Sequence, residues 1–410
     1  MVKRTHMNNS HSITNSLPQI IAAADTQDTA LLITDVRVLK QRLDLLAKAF
    51  PLGTRHAVAI KTNPHKQALT TILAQGFDLE AASMEEVELA LNAGAEPQQM
   101  VFDSPVKTRA EIQQCANYAG MQVNANMLSE LQRYPTNLRC KLGLRINPGI
   151  NTGAPEMFAV STDESKFGVP LAVESEILAA CLKHPITALH MHSGSQMRDL
   201  AVQLQAIRTL FDLAETINAH RASHNNHWRI DSINIGGGLP AEQEPEQPTM
   251  SRYATQITEL LEEYPSYELR TEFGQWTHQA SGYALTRVEY VGEGPVPNIF
   301  VHLGADLFTR HVYAPAAPLV IKVLNPDGSE KNGPYKHVNV AGPLCFAGDY
   351  LARNIELPTI NEGDWLLINN VGANTYGLWS RHCSRTMPKV LGIDLQGTIS
   401  TWSERQPIVY

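Results

Sequence analysis

The chain has 410 residues, 43% of them hydrophobic and 18% charged, a balance that supports two packed domains and excludes disorder as the main state. A formal charge of −8 argues against nucleic acid or an anionic membrane as principal partner, since both attract basic surfaces. Five widely spaced cysteines without a CxxC pair point to neither a disulfide framework nor a zinc ribbon; with no signal-like apolar centre and no run of membrane-spanning length, the expected setting is the cytoplasm.

In chain order, residues 1–29 read as a polar segment outside the fold, and LLIT at 31–34, within 30–37, as a short strand joining a later β-domain. From 38 to 277, apolar runs alternate with helical spacing. The strand candidates are HAVAI (56–60), FDLEAA (77–82), QMVF (99–102), MQVNA (121–125), RCKLGLRI (139–146), ITALHMH (186–192), RIDSINI (229–235) and YELRTE (267–272). Segments such as SMEEVELALNAG, TRAEIQQCANYAG and LAVQLQAIRTLFDLAETINAH are long enough to cross back over a parallel sheet. Eight β/α units over this length predict an α/β fold, a (β/α)8 TIM barrel. From 278 to 410 the texture becomes strand-rich, with GYALTRVEYV, NIFVHL, LVIKVL, HVNVAG, DWLLIN and KVLGI predicting a C-terminal all-β domain.

Polar residues gather at the predicted strand ends, which in a TIM barrel face one mouth. Lys61 follows the first strand, Asp78 lies at the second, Arg145 ends the fifth, His192 the sixth, Gly236, Gly237 and Gly238 follow the seventh, and Glu272 ends the eighth. Burial would lower the pKa of Lys61 and suit it to a Schiff base, or the lysine could emerge and pair with a carboxylate. The glycine triplet offers backbone N–H groups for a phosphate, or is simply a tight turn. Glu272 could hold a proton on a ring nitrogen, or pair with Arg145. His190 and His192 raise a metal reading that no second ligand pair supports, so no metal is expected. A lysine, a phosphate cradle, a carboxylate and a flat histidine at one mouth form a coherent set for pyridoxal 5′-phosphate.

AIKTNP, FDLEAASMEEVELAL, VFDSPVKTRAEI, LRINPGIN with DESKFGV, HMHSGSQ, INIGGGLP, TEFGQ, GPLCFAGDYL and NEGDWLLINNVGANTYG resemble, in the same order, the motifs of fold-type III pyridoxal-phosphate decarboxylases. The resemblance covers roughly residues 30–395. It implies a homodimer with shared active sites, decarboxylation of an amino acid to an amine plus CO2, and roles for individual positions. Lys61 resembles the Schiff-base lysine, His192 the ring-stacking histidine and Glu272 the partner of the pyridine nitrogen. Ser195 and the three glycines resemble a phosphate cup, and Asp78 and Arg145 polar supports of lysine and cofactor. Cys345 resembles the partner-subunit cysteine that protonates the product carbon. Arg310, Tyr313, Phe346 and Asp349 fall where the family meets its substrate.

Three departures bear on the site. Where relatives read Glu-Pro-Gly-Arg, this chain has Glu272, Phe273, Gly274 and Gln275; where they read Gly-Ala-Tyr it has Gly372, Ala373 and Asn374, with Tyr376 two residues on. Gln275 and Tyr376 are therefore the expected substitutes in the phosphate cup. Phe346 stands where ornithine and diaminopimelate decarboxylases carry an acid, which points to an extended or modified diamino-acid relative: diaminopimelate-like, carboxynorspermidine-like or a siderophore or polyamine precursor. A racemase on the same barrel and a non-catalytic regulatory homologue are the alternatives.

Overall fold

The computed structural model describes residues 13–407 apart from 26, 152, 155–157, 242–248 and 314–317. The chain divides into two compact units: Arg42–Thr277, and a second that combines Met1–Gln41 with His278–Tyr410.

The first unit holds eight barrel strands: β1 (Arg55–Ala59), β2 (Asp78–Ala81), β3 (Met100–Phe102), β4 (Gln122–Ala125), β5 (Lys141–Asn147), β6 (Ile186–His190), β7 (Ser232–Asn234) and β8 (Glu268–Thr271). Every neighbouring pair is parallel, and β8 pairs with β1 through Arg270↔Arg55 and Thr271↔His56, which closes the barrel. Residues two apart on a strand share a side. Asp78 with Glu80, and Gln122 with Asn124, therefore face the same way, and hydrogen bonds from Gln122 to Asn124 and from Asn124 to Asp103 identify that side as the interior. The interleaved residues Val58, Leu79, Phe102, Val123, Leu144, Leu189, Ile233 and Leu269 are buried on the other side, toward the helices. A polar interior is tolerable only if its groups bond one another. Gly143 makes room for it, since a Cβ there would lie 1.9 Å from the Asn124 side-chain oxygen.

Local chemistry starts the helices where the sequence placed them. Ser83 accepts from the Glu86 amide ahead of Met84–Asn92, Thr108 and Glu111 form a reciprocal capping box on Arg109–Ala116, and Asp199 accepts from the Ala201 and Val202 amides at the head of Leu200–Ser223.

In the second unit, strand Ala30–Asp35 lies between Gly282–Val291, antiparallel, and Lys389–Ile393, parallel. Its alternate residues feed two cores: Ala30 and Leu32 pack with Ala284, Val301 and Val340, while Leu31 and Ile33 pack with Trp365 and Leu391. The second core also takes Ile13, Leu17 and Ile20 from a helical segment, Ile13–Ser16 running into Leu17–Ala22. This corrects the expectation of a polar segment outside the fold: each such side chain contributes about 1.5–3 kcal/mol on burial, enough to hold a short helix in place. Residues 1–12 lie outside the described residues. A further strand, Tyr350–Pro358, pairs with Tyr335–Ala341 and has no counterpart among the expected elements.

Candidate active site

The carboxyl ends of the barrel strands bring together most of the residues expected from the sequence. Lys61 sits in the short turn Ile60–Thr62 directly after β1, its side chain half exposed, with Nζ 2.5 Å from Oε2 of Glu80 on β2. Desolvation lowers the pKa of this amine, but the charges of Glu80, Glu272 and Glu86 outweigh it and raise the pKa above the ordinary lysine value. Of the two readings of this lysine, depressed by burial or paired with a carboxylate, the second describes its surroundings here. Burial in turn pushes the Glu80 carboxyl up, against the pull of Lys61.

Asp78 does not join this group. It opens β2, two residues below Glu80 and at the opposite end of the strand, where Arg55 donates to both of its oxygens at 2.8 Å and the buried Arg270 approaches to 3.6 Å. Its position among arginines at the amino end of the barrel makes it a structural ion pair, and Glu80 is the acid that reaches the lysine.

Beneath the lysine lies a buried layer. Asp103, just past β3, accepts from Asn124 on β4; Glu272, just past β8, accepts from Asn234 on β7 at 2.7 Å. His190, the last residue of β6 and 1% exposed, lies between the two acids, Nδ1 3.3 Å from Asp103 Oδ1 and Nε2 3.5 Å from Glu272 Oε2. Burial pushes the Asp103 carboxyl up to about 6 and the His190 imidazole down to about 4, so His190 is neutral at pH 7. Burial, reinforced by Glu80, also raises Glu272. Arg145 on β5 is buried beside this layer, stacked 4.5 Å from the Phe167 ring centroid; desolvation lowers its pKa against the pull of Asp103, Glu272 and Glu80. Side-chain polar atoms of Asp103, His190 and Glu272 lie within 4.8 Å of one another, a cluster absent from the sequence expectations.

The rim carries His192, Ser195 and the glycine turn. His192 is half buried, and its Nδ1 accepts from the Gly237 amide at 3.2 Å, which fixes the tautomer with Nδ1 unprotonated and sets the plane of the ring. Burial first, then Arg145 and Lys61, hold its pKa well below the usual histidine range. The Gly236 amide donates to Asn234 and the Ser195 amide to the Phe158 carbonyl. Two amides of the triplet are thus already engaged within the fold. The turn needs glycine for close approach: a Cβ on Gly238 would lie 2.0 Å from the Gly194 carbonyl oxygen, and Gly238 has φ +102°. Gln275 begins the short helix Gln275–His278, half buried.

The remaining expected residues belong to the second unit. Cys345 is exposed, and the ring of Phe346 stacks on Tyr313 with centroids 5.4 Å apart. Arg310 lies one turn before Tyr313 on the helix Thr309–Tyr313, half buried, and desolvation lowers its pKa. Asp349 departs from the substrate-binding expectation. It is buried, with its two oxygens accepting from the Ala305 and Leu344 amides at 2.7 Å each, so it ties together the loops on either side of it. Tyr376 is half buried against the core of this unit.

These residues fit pyridoxal phosphate. Lys61 offers an amine for the aldehyde, His192 a neutral flat ring for stacking, and Glu272 a carboxylate for the pyridine nitrogen; the half-buried state of His192 and the half-exposed state of Lys61 leave both able to meet a ligand. Residues 36–276 match the family described as pyridoxal-dependent decarboxylase, pyridoxal binding domain. The chain belongs to the pyridoxal-dependent decarboxylases. It is a decarboxylase with pyridoxal 5′-phosphate as its cofactor. It is 28% identical to the diaminopimelate decarboxylase of Methanothermobacter thermautotrophicus over 94% of this chain and 91% of that one, and 25% identical to that of Aquifex aeolicus over 88% and 86%. The fold of this decarboxylase superposes on that of diaminopimelate decarboxylase from Helicobacter pylori, complexed with L-lysine, with a TM-score of 0.84 at 23% identity over 95% and 96% of the two chains. Arginine decarboxylase of a Paramecium bursaria Chlorella virus gives 0.78 at 19% identity over 90% and 96%. Among the described residues of this decarboxylase no helix is long and apolar enough to cross a membrane.

Proposed function

We propose that this decarboxylase acts, as a homodimer, on a diamino acid whose far end carries a carboxylate, of the diaminopimelate or carboxylated-polyamine type, in preference to lysine or ornithine. The observation that carries the reading is the stacking of Phe346 on Tyr313 beside the exposed Cys345. An aromatic pair offers no counter-charge to an ammonium that stands alone at the far end, as in lysine or ornithine, and leaves a far end that also bears a carboxylate to be held through that carboxylate. The acid nearest in sequence, Asp349, is engaged by two backbone amides, whereas Arg310 on the Tyr313 helix supplies a guanidinium suited to a carboxylate. The similarity to diaminopimelate decarboxylases supports the same class.

In this reading the bound cofactor supplies an electron sink for the pair left behind when CO2 departs. Glu80 takes the Lys61 proton so that the amine can act as a nucleophile, and returns it when the amine must be displaced. Glu272, held by Asn234, presents its carboxylate to the ring nitrogen. His192, neutral and locked by the Gly237 amide, covers one face and adds no competing positive charge. Cys345 is the proton donor to the product carbon. Gln275, Ser195 and the glycine turn form the phosphate cup, with neutral hydrogen bonds where relatives use an arginine.

A panel of amino acids including diaminopimelate, carboxynorspermidine, lysine, ornithine and their D-forms, scored by CO2 release, tests the proposal. Diaminopimelate or another distally carboxylated substrate is expected to show the highest kcat/KM; lysine or ornithine in first place contradicts it.

A further inference from the structure

The mechanism above uses Glu272 but leaves two buried titratable neighbours, Asp103 and His190, without a role. Both belong to the closed layer at the carboxyl end of the barrel, and their surroundings are unusual for residues that only fill space. His190 is 1% exposed, yet its ring nitrogens reach only to 3.3 Å from Asp103 and 3.5 Å from Glu272, longer than well-formed bonds, and neither nitrogen has another hydrogen-bond partner. No donor reaches Asp103 Oδ2, and the Asp103 and Glu272 carboxyls also lie within hydrogen-bonding reach of each other, so the two acids can hold one proton between them. A satisfied core would not leave an imidazole suspended between two acids.

We propose that Asp103 and His190 act together as a proton reservoir that keeps Glu272 anionic beneath the cofactor's pyridine nitrogen, which makes both of them positioning residues for the decarboxylation. The proposal rests on the reading of Glu272 as the partner of that nitrogen.

A neutral imidazole offers one donor and one acceptor, so it can serve this acid pair in two ways. With Nδ1 protonated it donates to an anionic Asp103, and Nε2 accepts from a protonated Glu272. With Nε2 protonated it donates to an anionic Glu272, and Nδ1 accepts from a protonated Asp103. The two states interconvert when Glu272 Oε2 gives its proton to Nε2 while Nδ1 gives its own to Asp103 Oδ1. The ring stays neutral, and one proton passes from one carboxyl to the other. A cation placed against Glu272 selects the second state. The surrounding groups agree with a single proton held by the pair: Glu80 on β2 adds negative charge, Lys61 after β1 and Arg145 on β5 add positive charge, Asn234 on β7 donates to Glu272, Asn124 on β4 donates to Asp103, and His192 after β6 is neutral. Burial holds Asp103 near 6, where it can accept a proton close to neutral pH.

The test is nitrogen-15 NMR of the holoenzyme carrying cofactor labelled at the pyridine nitrogen, followed against pH together with the cofactor dissociation constant. In the native protein the nitrogen is expected to be protonated at pH 7.5. His190→Phe is expected to lower the pK of that nitrogen by about one unit and weaken cofactor binding about tenfold, the equivalent of the same free energy. Asp103→Asn is expected to keep the native signal, because its amide donates to Nδ1 as the protonated acid would; Asp103→Ala is expected to lose it. That pair asks the same question should His190→Phe not fold. A native titration and affinity in His190→Phe, or an Asp103→Asn variant as impaired as Asp103→Ala, overturns the proposal, as does one equivalent of tightly held divalent metal in the holoenzyme. Glu272→Gln separates the two layers of inference: if it leaves the resonance unchanged, the role given to Glu272 is wrong, and if it alone shifts the resonance, only the reservoir is.

Discussion

Lys61 reaches its counter-ion across one strand gap, from the end of β1 to Glu80 on β2, at 2.5 Å. The pair stores the lysine in its charged form, since Glu80 heads the influences that raise the Lys61 pKa against desolvation. Removing the acid leaves desolvation less opposed. Glu80→Gln is therefore expected to lower the Lys61 pKa and move the pH profile of pyridoxal phosphate uptake by the apoenzyme to lower pH, with a lower maximal rate because the acceptor of the lysine proton is gone. Stopped-flow absorbance of cofactor uptake between pH 6 and 9 reads the shift; an unchanged profile would mean that Glu80 does not control the lysine.

Asp78 gives the opposite expectation. Its carboxylate neutralises Arg55 and faces the buried Arg270 at the amino end of the barrel. Breaking a buried pair by removing one partner costs about 3–5 kcal/mol. Because Arg55 is one-third exposed and Arg270 keeps Glu268, Asp78→Asn is expected at the lower end, about 3 kcal/mol in urea denaturation. Cofactor affinity and kcat of the folded fraction should stay native, which a role beside the cofactor would not allow.

Phe346→Glu places an acid beside Cys345. A hydrogen bond to a charged group contributes about 1.5–3 kcal/mol, and about 1.4 kcal/mol is tenfold. The ratio of kcat/KM for lysine over norleucine, which lacks the distal ammonium, is expected to rise at least about tenfold in this variant, measured by CO2 release. A ratio that does not move would separate Phe346 from substrate choice.

His278 offers a pH test of the fold itself. It is fully buried, neither ring nitrogen has a hydrogen-bond partner, and burial pushes its pKa down to about 4 from 6.5. The unfolded chain binds a proton there as pH falls through 6.5, while the native state refuses it until about 4. Its contribution to stability is therefore whole above 6.5 and is lost as pH falls toward 4. Between pH 7.5 and 5 the linkage amounts to about 2 kcal/mol. His278→Leu should narrow the stability difference between those two pH values by about that much, as measured by urea midpoints.

Much of the barrel is legible in sequence because strands and period-3.6 helices leave different apolar patterns: six of the eight strands fall inside the runs that announce them, and Arg55–Ala59 and Lys141–Asn147 overrun theirs by one residue. The choice between Asp78 and Glu80 is harder. Both lie in FDLEAA, both face inward, and only the strand's carboxyl end, which sequence locates to within a few residues, tells them apart; the acid nearer that end was the available signal. Asp103 hides in an ordinary loop sequence, VFDSP, and shows its partners only when β3 and β6 close on one interior. Strand Tyr350–Pro358 escapes detection because Arg353 and Asn354 interrupt its apolar alternation, and Asn354 takes φ +50° at an irregularity in the pairing. Leu17 and Ile20 belong to a short apolar run, LPQIIAAA, that is too brief to announce its own burial until the sheet it covers is known.

The glycine turn after β7 touches both sides of the proposed cofactor position. The Gly237 amide holds the His192 ring, and the absent Gly237 side chain would sit 2.3 Å from the Glu272 carbonyl oxygen. A substitution at Gly237 therefore cannot adjust the stacking face alone. It must also push on the strand end that carries the ring-nitrogen carboxylate, so the two contacts are mechanically geared, and evolution or engineering can retune one of them only from the far side of β6 or β8.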